Sequence, residues 1–297
     1  MSTHRSDARN TSMFDADLLP SAEDVAFYRE HGYYVSKKII PSEVIDEALL
    51  GIERHFAGFQ DDPLPVTTGF SDWRPGDRDA LRNVEHLALR NRPVRQLALS
   101  PVIGAIAARL AGSEMIRLWD DQLVWKPPTR SDEGGTVVGW HTDRAYWMTC
   151  TSEEMLTAWI PLHDCSLAHG PIMVIDGSHR WSGTDTLRDF KKQDLGPPAL
   201  HLERAQLHAL TRRLALQKGQ VSFHHCRTLH ASDHNRADSP RVSLAVHLQD
   251  GANRWRPFRD SEGVAAEVVN DRMARKLADG TPDYTDPAVF PVLWPEG

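Results

Sequence analysis

At Gly112 the periodicity of this chain changes. Before it, apolar residues recur at helical spacing; after it, as far as Asp250, they alternate in short runs separated by Gly, Pro, Asp and Asn. Strands punctuated by turn signals over such a length make a sandwich or a closed barrel, so the expected fold is mainly β with flanking helices. With 297 residues, 40% of them hydrophobic, the chain can bury a full core. The expected organisation is a mobile polar arm (1–19) and one domain over 20–297, made of a helical scaffold (20–112), a β core (113–250) and a C-terminal extension (251–297).

Within the scaffold, Ser21-x-x-Asp24 ahead of Val25, Phe27 and Tyr28 marks a capped helix start, and Gly32 stops that helix. A strand over 33–40 leads to Pro41-Ser42 and a second helix, in which Val44, Ile45, Ala48, Leu49, Ile52 and Phe56 share one face. Residues 60–82 turn to Asp, Pro, Gly and Thr around Phe70, Trp73, Arg74 and Arg78, which reads as a long loop: a lid, or equally a surface excursion pinned by two aromatics. A helical run over 93–110, broken near Ser100-Pro101, follows. Strands are then expected over 115–126, 136–140, 155–162, 171–175, 214–216, 220–224, 228–232 and 241–249. A loop over 131–135 and a charged insertion over 184–206 interrupt them.

The chemistry gathers at Trp140-His141-Thr142-Asp143. Side chains two apart on a strand emerge on one face, so His141 and Asp143 can converge on one metal ion. Two His and one carboxylate on one side of a metal, with the opposite positions open, is the set used by non-haem Fe(II) oxygenases. The chain has 15 histidines, so a lone one means little. His224, His225, His230 and His234 compete as third ligand, while His179 has the turn setting of a backbone-bonding residue. His230 is favoured because Arg241 follows it after the turn-rich 235–240 segment, and a hairpin there would carry Arg241 back beside His230. Arg241, Ser243, Ala245, His247 and Gln249 alternate with Val242, Leu244, Val246 and Leu248. The apolar side should pack on helices and leave Arg241 facing a polar interior, where its fork suits a bidentate carboxylate such as the far end of a keto-diacid. A salt-bridged edge arginine is the plainer reading.

Four segments in order, Gln122 to Pro128, Trp140 to Asp143, Gly170 to Arg180, and Gly219 through His230-Ala231-Ser232 to Arg241, resemble the phytanoyl-CoA dioxygenase (PhyH) family of Fe(II)/2-oxoglutarate oxygenases, which includes ectoine hydroxylase-like enzymes. The resemblance covers roughly 22–250. It implies a double-stranded β-helix, a cupin-like jelly roll backed by helices. It also implies Fe(II) on His141, Asp143 and His230, with 2-oxoglutarate and O2 as co-substrates. Arg241 and Ser232 would hold the distal carboxylate of 2-oxoglutarate, and Lys126, Gln122 and Trp159 would surround it; a buried Trp159 could also be plain core. Hydroxylation of an unactivated C–H bond of a small molecule, with release of succinate and CO2, is the implied reaction. Desaturation and cyclisation use the same ligands, whereas the carboxylate Asp143 stands where halogenating relatives have a small residue. The chain departs from the family's usual turn at His169 and Asp176, which touches turn geometry and not the ligands.

Net charge is −7 with no Lys/Arg block, which argues against nucleic acid or an anionic membrane as partner. Nor is any apolar run read as long enough to span a bilayer. Cys150, Cys165 and Cys226 are too scattered for a disulfide framework or zinc ribbon and suit a reducing cytosol, so a cytoplasmic protein is expected. The expected partner is a small-molecule substrate. Arg144, Tyr146 and Trp147, following the metal strand, would give an aromatic and cationic pocket for a small polar or anionic molecule, though Tyr146 and Trp147 could equally be core. A secondary metabolite or amino-acid-like substrate is preferred to an acyl-CoA, for which no basic cluster waits. A non-catalytic jelly-roll binding protein would need no Arg241, and a zinc hydrolase would have no use for a keto-acid clamp.

Overall fold

Helix α1 (Ala22–His31) starts at a full capping box, in which the Ser21 and Asp24 side chains each accept from the other's backbone N–H, and ends where Gly32 turns left-handed at φ 78°. A β-carbon at Gly32 would sit 2.3 Å from His179 Nδ1, so the turn needs glycine for room as well as for its backbone. The computed structural model describes residues 15–78, 80–129, 136–198 and 203–295. Most of the expected arm and the expected 131–135 loop lie outside them.

The scaffold continues through β1 (Tyr33–Lys38), α2 (Ser42–Phe56), β2 (Arg82–Glu85), α3 (Arg92–Ala98) and α4 (Pro101–Ala111). Pro101 opens α4, where its missing N–H costs nothing, and splits the apolar run in two. Contrary to expectation, Arg92–Ala111 is long and apolar enough, by length and composition, to cross a membrane. In this fold it packs inward: Leu97, Ile103, Ile106 and Leu110 are buried in the main core.

Beyond Gly112 come β3 (Ile116–Lys126), β4 (Val138–His141), β5 (Leu156–Pro161), β6 (Ile172–Ile175), α5 (Arg204–Leu210), β7 (Thr211–Arg213), β8 (Gln220–His225), β9 (His230–Ser232), β10 (Arg241–Asp250), α6 (Val269–Met273) and β11 (Val292–Trp294). They form two antiparallel sheets. The larger runs β1-β8-β5-β10-β3-β11 with β2 also on β3, and the smaller runs β4-β9-β6-β7. This is the expected jelly roll. One face of the large sheet, with Leu123, Ala158, Ile160, Phe223, Leu244, Val246 and Leu248, packs on α1 to α4. Each such fully buried aliphatic side chain stabilises by roughly 1.5–3 kcal/mol. The opposite face carries Arg241, Ser243, Ala245 and His247 and looks into a cavity, as the alternation along β10 predicts.

Three expectations need correction. β9 and β10 do not form a hairpin: they belong to different sheets, and Arg241 meets the His230 strand across the cavity. The strand expected at 214–216 lies one triplet earlier, as β7, because Met173 to Ile175 pair with Thr211 to Arg213. The loop after Gln60 ends in a strand, β2, that adds to β3 with Glu85 opposite Gln122.

Candidate metal centre

His141 closes β4 and faces His230 directly across the β4–β9 pair. Asp143 is not a strand residue. It opens a 3-10 turn over Asp143–Ala145 whose cap, Thr142, accepts from Ala145 N–H at 3.3 Å, and this turn swings its carboxylate toward the two imidazoles. One donor atom from each of His141, Asp143 and His230 lies within 4.8 Å of the others, and all three residues are buried.

Each imidazole is oriented from behind. His141 Nδ1 donates to Gly139 O at 2.8 Å and His230 Nδ1 donates to Thr228 O at 2.9 Å, which leaves both Nε2 lone pairs free for a metal. Gly139 has its own constraint: a β-carbon there would meet Asp189 O at 2.2 Å, so the 188–192 segment could not lie against β4. Asp143 divides its oxygens. Oδ1 lies 3.5 Å from His230 Nε2, whereas Oδ2 accepts from Thr157 Oγ1 at 2.5 Å and lies 3.3 Å from His224 Nε2. Thr157 Oγ1 in turn accepts from His247 Nδ1 at 2.8 Å.

Burial lowers the pKa of His141 and lowers that of His230 further, where His141 adds to the effect, so both rings are neutral and able to ligate. Burial also opposes the Asp143 carboxylate. The neighbouring His230, His224 and His247 outweigh it and hold this carboxyl well below the usual range. Two neutral imidazoles and one carboxylate in a closed, buried setting fit Fe(II).

Arg241 and Lys126 are cross-strand partners on β10 and β3. Arg241, only 2% exposed, donates through Nη1 to Gly170 O at 3.0 Å, and its guanidinium carbon lies 5.8 Å from the centre of the Trp159 ring. Burial lowers its pKa to about 10, which leaves it charged at neutral pH. Burial and the adjacent Arg241 press Lys126 well below its ordinary value. Its Nζ donates to Ser232 Oγ and to Asp233 O, both at 2.8 Å, so Lys126 sets Ser232 in place. Arg241, Ser232, Trp159 and Gln122 line one continuous cavity with the three candidate ligands, about 1210 Å³ in volume.

The competitors fall elsewhere. His225 accepts from Arg227 N–H, and burial with nearby His179 drives its pKa to about 3. His179 bonds Arg29 O at 3.1 Å, the backbone role expected of it. His224 does line the cavity, 2% exposed, with Nε2 beside Asp143 Oδ2 and Nδ1 without a hydrogen-bond partner, next to the triad and not in it. Arg144 does not reach the cavity: it is buried, donating to Trp147 O at 3.1 Å and Cys150 O at 3.0 Å, so it cannot make the pocket cationic. Sequence reasoning put His247 on the Arg241 face but missed Thr157, Glu85 and Asp120, although the β10 register sets His247 between Thr157 and Asp120.

Comparison with known proteins agrees with this geometry. The phytanoyl-CoA dioxygenase (PhyH) family model matches residues 28–243. The ectoine dioxygenase of Bordetella parapertussis is 25% identical over 277 residues, spanning 88% of this chain and 85% of that protein. A probable alpha-ketoglutarate-dependent hypophosphite dioxygenase of Stutzerimonas stutzeri is 29% identical over 180 residues, 59% of each. The solved epimerase SnoN, in complex with Fe3+, alpha ketoglutarate and nogalamycin RO, superposes with a TM-score of 0.66 at 24% identity, covering 91% of this chain and 97% of that one.

Proposed function

Because this chain belongs to the phytanoyl-CoA dioxygenase family and is an Fe(II)- and 2-oxoglutarate-dependent dioxygenase, we propose that it hydroxylates an unactivated C–H bond of a small molecule. The observation that carries this reading is the buried His141, Asp143 and His230 set, its donor atoms within 4.8 Å of one another, in a cavity that also holds Arg241. When bound, Fe(II) with 2-oxoglutarate and O2 supplies the oxidising power, the keto acid leaving as succinate and CO2 while the substrate C–H bond becomes C–OH.

The chain's own residues do the positioning. His141, Asp143 and His230 would hold the metal, with the backbone carbonyls of Gly139 and Thr228 fixing the two rings. Thr157 holds the outer Asp143 oxygen, so Oδ1 is the one left to ligate. Arg241 would pair with the distal carboxylate of 2-oxoglutarate and Ser232, braced by Lys126, would donate to it. Trp159 and Gln122 would wall the keto acid; both line the cavity. The names of the relatives, ectoine dioxygenase and hypophosphite dioxygenase, support a small-molecule substrate without agreeing on one. Three buried free cysteines support work in the cytoplasm.

The test is anaerobic titration with Fe(II) and 2-oxoglutarate, following the metal-to-ligand charge-transfer band of a chelated keto acid. The band is expected in the wild type and lost in His230→Ala. A folded, metal-loaded wild type without the band overturns the reading.

A further inference from the structure

The cavity has a second half, beyond Ala245 and His247, walled by β2, β3, the 69–71 loop and the C-terminal segment. Glu85 and Asp120 stand there. Glu85 Oε2 accepts from Ser71 N–H at 2.9 Å and Oε1 from Gln122 Nε2 at 3.4 Å, so a loop amide and a side-chain amide hold this carboxylate in place, with no ion pair to it among the described residues. Asp120 Oδ1 lies 2.7 Å from His86 Nδ1, its one partner of opposite charge among the described residues. Phe70, Trp119 and Trp147 give the same half an apolar flank.

Charge is uneven along this space. Among the described residues the basic side chains lining the cavity away from Arg241 and the metal ligands' neighbourhood are Arg188, Lys191 and Arg272, all exposed, and His86, which is buried and held on Asp120. Arg188 is engaged on Ala145 O and Arg272 on Thr68 O. The carboxylates lie deeper, with Asp120 only 15% exposed at its side chain. Burial and the Asp120 charge together raise the Glu85 carboxyl above its ordinary value, outweighing the Ser71 N–H and His86, which pull it down. Independently of these acids, His224 lines the same cavity, 2% exposed; its Nε2 lies 3.3 Å from Asp143 Oδ2 and its buried Nδ1 has no hydrogen-bond partner, as expected of a space built to receive a polar ligand.

The register sets a length. Asp120, His247, Thr157 and His224 stand side by side on β3, β10, β5 and β8, and Thr157 bonds Asp143. Two strand spacings, about 10 Å, therefore separate the Asp120 backbone from that of the residue bracing the metal ligand. A molecule of some ten heavy atoms spans that gap.

Resting on the oxygenase reading above, we propose that this half binds a substrate bearing a protonated nitrogen, such as an arylalkyl- or alkylammonium. Its charge sits on Glu85 and Asp120, its body lies against Phe70, Trp119 and Trp147, and its far carbon is presented to the metal. Acid and aromatic groups together recognise an ammonium, and they repel a carboxylate.

The experiment uses the anaerobic Fe(II)·2-oxoglutarate complex and its charge-transfer band, titrated with 2-phenylethylamine, 2-phenylethanol and 3-phenylpropionate, which match in size and differ in charge. The amine is expected to shift the band saturably, with the alcohol and the acid at least tenfold weaker, a discrimination that Glu85→Gln removes. That substitution keeps an acceptor for Ser71 N–H, and a thermal melt checks its fold. Should the acid or alcohol bind as well as the amine, should none of the three move the band, or should Glu85→Gln keep the preference, the proposal is overturned. The wild-type series decides even if the variant fails to fold. Absence of the band before any amine is added is a separate failure, that of the oxygenase reading, and the proposal falls with it.

Discussion

The two ends of the cavity are built oppositely. At one end the basic groups are Arg241 and Lys126, paired across β10 and β3, with their polar atoms on Gly170, Ser232 and Asp233. At the other they are Glu85 and Asp120, and the surrounding wall comes from a loop near 70 and a segment near 265–272, far apart in sequence. On the proposed reading, the keto acid common to every turnover would be met by groups fixed on paired strands. The variable molecule would be met by two carboxylates that also stand on paired strands, β2 and β3, but its remaining wall comes from connecting segments, which tolerate change without disturbing the sheets.

If that division holds, damage to the shared end should be severe and indifferent to the substrate. Asp143→Ala should have the largest effect, removing iron-dependent succinate formation by more than the roughly 10–100-fold that outer partners of a metal site cost. The circular dichroism spectrum should stay near wild type, because Asp143 sits in a turn and not in a strand. Full turnover in that variant would remove the triad from the account. Arg241→Gln should come next, raising the dissociation constant of 2-oxoglutarate by about 10–100-fold, the worth of a charge-assisted hydrogen bond. Arg241→Lys should recover only part of it, since a point charge cannot reproduce the fork. Unchanged 2-oxoglutarate affinity in Arg241→Gln would erase the distinction between the two ends.

Thr157→Val tests the junction between them. The outer oxygen of Asp143 would lose its donor and rotate more freely, and Fe(II) affinity measured by competition with a chelator should fall by about tenfold. Thr157→Ser, which keeps the hydroxyl, should restore it; a purely steric role for Thr157 would leave valine, its isostere, unimpaired.

The same asymmetry separates what was legible in the sequence from what was not. The Arg241 end could be read because its residues obey local periodicities: alternation along β10 puts Arg241 and His247 on the cavity face, and alternation along β3 puts Gln122 there, with Lys126 in phase behind Ser232. Capping at Ser21 and Asp24 and the break at Pro101 are likewise local. What failed was long-range. A turn-rich segment between His230 and Arg241 looks like a hairpin, yet it crosses between sheets, because residues 233–240 give no sign of which sheet the next strand joins. Glu85, Thr157 and Asp120 acquire meaning only through cross-strand register, which one strand's own pattern does not encode. The extension after Asp250 carries little periodicity, and its residues 265–270 and Arg272 nonetheless wall the substrate half.

The smallest expected effect concerns the pair that leaves the substrate end net acidic. Burial disfavours the charged His86 ring, but Asp120, Asp121 and Glu85 outweigh it and raise its pKa above 6.5. A raised folded value means the charged pair contributes its full stability below the unfolded pKa and loses it as pH climbs through the folded one. His86 also has a left-handed backbone, φ 57°, which asparagine tolerates, so His86→Asn removes the charge without straining the turn. The urea midpoint of the wild type should exceed that of His86→Asn at pH 6 by an amount corresponding to about 1–2 kcal/mol, and the gap should shrink by pH 9. A gap that is flat with pH would mean that His86 is neutral throughout. Asp120 would then stand as uncompensated as Glu85, and the substrate end would call for two positive charges instead of one.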